Sequence, residues 1–88
     1  MDISTQTAAE RIARVLAGQR LSANAEGDAE SASPMVENVW KDYLMDAVAV
    51  LRTLREPDAA MAAAGDPAIW ERMILVAIEE TRPETVIL

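Results

Sequence analysis

Apolar side chains recur every three or four residues over most of the chain, and this helical rhythm is interrupted twice. Near the start, Ala8, Ile12, Val15 and Gln19 fall on one stripe flanked by Ala9 and Leu16, which predicts a helix with a short, thin inward face. Thr7 and Glu10 have the spacing of a capping box, so the helix is expected to begin there and run to about Gly18 or Leu21. Arg11 and Arg14 lie off that stripe and read as solvated surface, with Glu10 and Arg14 able to pair one turn apart. From Ser22 to Ser33 the chain reads SANAEGDAESAS. It has nothing large to bury and is expected to be a flexible acidic linker.

Ser33 and Pro34 form a strong helix start, because serine caps and proline at the first position gives up no hydrogen bond. A long second helix is predicted from there to Glu56, ended by Pro57. Its stripe is Val36, Trp40, Leu44, Ala47, Leu51 and Leu54, widened by Val39, Tyr43, Val48 and Val50, so it should touch more than one neighbour. Met45 sits off this stripe, and Asp42 and Asp46 read as a solvated face. Pro57 to Ala64 predicts a two-turn, alanine-rich connector helix docked through Met61, with Gly65 as a left-handed end. Asp66 and Pro67 repeat the cap-plus-proline start. Ile69, Trp70, Met73, Ile74, Ala77 and Ile78 then form the inward face of a last helix ending near Arg82.

The expected fold is therefore all-α, with three main helices and a short connector, in a single domain over residues 1–88 with its linker at 22–33. The short connector favours packing the two long helices antiparallel. In that arrangement Trp40 and Trp70 face a shared interior, with Trp70 nearer Leu51 and Leu54 and Trp40 nearer Ala77.

Composition sharpens this picture in one respect. Hydrophobic residues make up 51% of the 88, yet 17 of those 45 are alanine, which adds helix propensity and little buried area. A domain this small buries only roughly 60% of the surface its unfolded chain exposes, so self-association is expected. The net charge is -7, and residues 57–88 carry six acids against two arginines. That balance disfavours direct binding to nucleic acid, which needs a basic face. It also disfavours anionic membrane, and no apolar run approaches the roughly 20 residues of a span. There is no Cys and no basic-then-apolar leader at the N-terminus, so the expected location is cytoplasmic.

The candidate chemistry is sparse. With neither His nor Cys, the usual general base and the strongest nucleophile are missing, and no catalytic residue, cofactor or metal is expected. Asn24, Glu26, Asp28 and Glu30 alternate as in a calcium loop, but Gly27 stands fourth where the loop needs glycine sixth, and Met35 stands twelfth where a glutamate belongs. Trp40, Tyr43, Trp70 and Met73 are the candidate core or pocket residues. Val86, Ile87 and Leu88 form an apolar tail that could be captured by a partner but is expected to pack on the domain.

The string WKDYLMDAVAVLRTLREPDAAMAAAG, Trp40 to Gly65, with WERMI, Trp70 to Ile74, and IARVL, Ile12 to Leu16, resembles a pattern in small alphaproteobacterial proteins, many from phage or prophage regions. The resemblance implies an ordered helical module and carries no catalytic residue with it.

These features point to a non-enzymatic module that self-associates or binds a protein partner. Two alternatives come from other classes: a small-ligand-binding helical domain lined by Trp40, Tyr43 and Trp70, or an acidic nucleic-acid mimic using Glu71, Glu79, Glu80 and Glu84 against a basic partner.

Overall fold

A computed structural model of the protein describes the backbone of residues 3–24 and 29–81 and the side chains of residues 3–21 and 34–81. Every element among them is helical. The order is α1 (Ala8–Asn24), α2 (Ala29–Val39), a 3-10 turn (Trp40–Tyr43), α3 (Leu44–Leu54), α4 (Ala59–Ala64) and α5 (Pro67–Glu79). No helix among the described residues is long and apolar enough to cross a membrane.

Local capping places the starts of α1 and α5 where the sequence predicts them, whereas the start expected at Ser33 and Pro34 lies inside α2. The Thr7 hydroxyl accepts the Glu10 amide at 3.1 Å, and Asp66 accepts the amides of Ala68 and Ile69 ahead of α5, with Pro67 in the first turn. Asp58 does the same for α4, accepting the Met61 amide at 2.9 Å. Each cap satisfies an otherwise orphaned donor. Gly65, expected to be left-handed, is extended at φ -160°, a conformation open to any residue.

The stretch expected to be a linker is helical at both ends. α1 continues to Asn24, and α2 starts at Ala29, ahead of Pro34, which sits inside the helix. Ala23, Ala29, Glu30 and Ala32 are good helix formers, so the lack of large apolar residues removed a packing signal without removing the helix. Residues 25–28 lie outside the described part. The long second helix, in turn, is broken in two. The α-helix gives way to a 3-10 turn after Val39 and resumes after Tyr43, which leaves the helical region at φ -104°, and this turn brings Trp40 against α1. β-branched and aromatic residues hold a helix weakly enough for tertiary contacts to win here.

α1 is the hub. α2, the 3-10 turn and α3 all pack on it, whereas α5 packs mainly on α3 and lightly on α1. A pair of long helices is therefore not what organises the fold. The face α1 buries is shifted from the expected one: Ala9, Ala13 and Ala17 are fully buried and Ala8 and Ile12 pack against the core, while Val15 is 58% exposed and Gln19 is exposed. Ala9 and Ala13 join Ala47, Leu51, Ile74 and Ala77 in one core cluster, with Ile12, Leu44 and Ile78 packed around it. Methyl groups let helix backbones approach closely, so many atoms gain contacts, and that outweighs burying one valine.

The core is consequently thin, and among the described residues Leu51 is the one large side chain that is almost wholly enclosed.

Two substitutions on α1 test this packing. Ala13→Leu should overpack the cluster and cost about 1 to 3 kcal/mol. A Cβ added at Gly18 would meet Val36 at an ordinary 3.7 Å, so Gly18→Ala should gain about 0.5 to 1 kcal/mol. Urea unfolding of both variants reads the signs directly, and an Ala13→Leu protein as stable as the parent would contradict the close approach.

Candidate functional site

Two clusters gather the side chains with specific chemistry. The first is centred on Arg14, about two turns beyond the α1 cap at Thr7. Its Nε donates to Glu10 at 2.9 Å, and its Nη1 and Nη2 donate to the two carboxylate oxygens of Glu37 on α2 at 2.7 and 3.4 Å. The guanidinium also lies 5.0 Å from the centre of the Trp40 ring, and the Lys41 ammonium lies 5.9 Å from it. Arg14 thus ties α1 to α2 and to the 3-10 turn at once.

Only 22% of the Arg14 side chain is exposed, which corrects its reading as plain surface. Arg11 remains exposed as expected. Hydrogen bonds from Arg14, and then its charge, hold the Glu37 carboxyl below its usual range. The bonds from Glu37 and Glu10 in turn raise the Arg14 pKa. Glu37 is largely open to solvent, so screening keeps the pair modest and orientation is its main contribution.

The second cluster is built by α4 and α5. The Trp70 indole N–H donates at 2.7 Å to the carbonyl of Leu54. That carbonyl is in the last turn of α3 and has no intrahelical partner, so Trp70 caps α3 from α5 and sets the path of the connector. Trp70 also lines an open apolar cleft of about 360 Å³ with Pro57, Met61, Pro67, Ile69 and Met73. Ile69 and Met73 continue into a second recess along α5 with Val76, Arg72, Glu80 and Ile3. Ile69 is 45%, Met73 62% and Val76 59% exposed. Residues 69, 73 and 76 share one face of a helix, and here that face is turned away from Ile74 and Ala77, the residues α5 buries.

The four candidate core or pocket residues therefore separate. Trp70 lies at Leu54, as expected, and with Met73 borders the cleft. Trp40 instead packs on Arg14 of α1, and Tyr43 borders a recess with Leu16, Gln19 and Val50. Both tryptophans and Tyr43 are half-buried at the edge of the core cluster. Ile69 and Met73, expected inward, are outward, and Met61 borders the cleft without entering the core. Val86, Ile87 and Leu88 lie outside the described residues, as does Glu84.

Among the described residues, no three His, Cys, Asp or Glu side chains are grouped to hold a metal ion. Glu71 sits 3.7 Å from Arg55. It and Glu80 are nine residues apart and so project from opposite sides of α5, which does not align them as a phosphate-like row. No known family model, curated protein or solved structure matches the chain.

Two measurements follow. Trp70→Phe keeps a ring but loses the bond to Leu54, and should cost about 1 kcal/mol in urea unfolding; no loss would mean that water caps Leu54 equally well. Glu37 has a folded pKa below its unfolded one, so its pairing stabilises the protein above the ordinary carboxylate range and is lost as pH falls through the folded value. The melting temperature of the parent should exceed that of Glu37→Gln at neutral pH, and the two should converge as pH falls below the ordinary carboxylate range and through the folded value. Parallel curves would remove Arg14 and Glu37 as a coupled pair.

Proposed function

We propose that the protein is a non-enzymatic helical interaction module, and that the outward face of α5 is where it engages another protein chain. The observation that carries this reading is the exposed stripe of Ile69, Met73 and Val76, continuous with the Met61 and Trp70 cleft. Contiguous apolar surface of this kind characterises helix-docking faces. Methionines at two points along it suit an adaptable contact, since the thioether chain repacks easily. The rim is charged, with Arg72 and Glu80 bordering the stripe, the pattern of an apolar centre with a polar edge.

A small-molecule reading of the cleft has less support. Its volume of about 360 Å³ is at the low end for ligand pockets, and such pockets orient their ligand through a few free polar groups. The carboxylate on the cleft wall, Asp66, is already engaged by the amides of Ala68 and Ile69.

A photo-crosslinking amino acid in place of Met73, in cells expressing the protein, tests the reading. A covalent adduct to a protein chain is expected. It should disappear when Val76→Asp is added, and the same probe at exposed Thr53 on α3 should give none. Equal capture from positions 73 and 53 would end the proposal.

A further inference from the structure

We propose that the chain engaged by α5 is a second copy of this protein, joined in an antiparallel α5–α5 dimer whose two-fold axis passes at Val76. The inference rests on the reading of α5 as a docking face and adds the identity and register of the occupant.

Charge complementarity identifies the occupant. Arg72, Val76 and Glu80 are four residues apart and border the same recess, so they form a line along the outward face with a cation before the valine and an anion after it. Neither Arg72 nor Glu80 has an ion-pair partner among the described residues. Arg11 shares a shallow recess with Glu80 but forms no ion pair with it.

A helix with opposite charges at equal distances on either side of an apolar centre is complementary to itself reversed. Rotation about Val76 places each Arg72 opposite Glu80 of the partner subunit, and both pairs form together because a two-fold interface repeats every contact. Each Val76 then lies against the partner's Val76, which forms the apolar centre. A parallel arrangement would instead set like charges against each other, which is disfavoured. The net charge of -7 repels two copies at long range, so the local pairs matter for register, and an interface of this size belongs to the weak, reversible class.

The test uses the full chain and analytical ultracentrifugation up to about 300 µM, a range suited to weak interfaces. The parent should form a reversible dimer. Arg72→Glu and Glu80→Arg should each weaken it by about tenfold or more, and an equimolar mixture of the two should recover it, because one chain is then acidic at both positions and the other basic at both. Recovery on mixing is the result that unspecific apolar contact cannot give.

Because the chain has no native cysteine, Val76→Cys adds a measurement independent of charge. On the axis, it should oxidise to a linked dimer at least about tenfold faster than Thr53→Cys, since a disulfide needs close Cα atoms. This holds even if a charge reversal unfolds the chain by circular dichroism. Singles that dimerise like the parent, a mixture of folded variants that stays monomeric, or equal oxidation at positions 76 and 53 would each overturn the dimer. A parent monomeric throughout, with a crosslinker at Met73 that captures only a different protein, would overturn the self-pairing and leave the docking face standing.

Discussion

The arrangement of the helices depends on how closely α1 can approach its neighbours. Ala9, Ala13 and Ala47 meet in the core with no exposed surface at all, and only side chains of that size permit such an approach. Once α1 is held there, α2, the 3-10 turn and α3 all reach it, and Trp40 comes to rest beside Arg14. α5 is left with a narrow contact through Ile74 and Ala77. The same economy that closes the core around α1 leaves Ile69, Met73 and Val76 in the open.

Two of the three long helix starts, those of α1 and α5, were readable because their caps are local; the Ser33 and Pro34 signal was not used, since α2 begins at Ala29. Thr7 with Glu10, and Asp66 with Pro67, act within one turn, and each cap forms where the residues place it. Which face turns inward was less readable. A stripe drawn through the largest apolar residues selects Val15 on α1 and Met73 on α5, and both are exposed. Hydrophobic patterning ranks residues by the surface they could bury, whereas close approach ranks them by how little they obstruct. With 17 alanines in the chain, the second criterion governs α1. On α5, the narrow contact with α3 leaves room for only part of a broad apolar face.

The site was legible in part for the same reason. Trp70 near Leu54 follows from the short connector, and the indole bond confirms that closeness. The Arg14 cluster was hidden because Glu37 is 23 residues away in sequence, and no local spacing announces it. Its signal was indirect: an arginine on the flank of a thin helix, with a tryptophan available to cover it. The change from α2 to α3 was equally non-local, since the 3-10 turn at Trp40–Tyr43 forms where the chain packs on α1.

An alanine core also shapes how the protein responds to temperature. The heat capacity of unfolding arises from apolar surface newly exposed to water, and here much of the enclosed surface consists of single methyl groups. The heat capacity increment is then small for the chain length, and the stability curve is correspondingly flat. The weak curvature carries little penalty on cooling. Any chain that covers α5 would add apolar burial in proportion to the surface hidden, so association would raise the transition temperature.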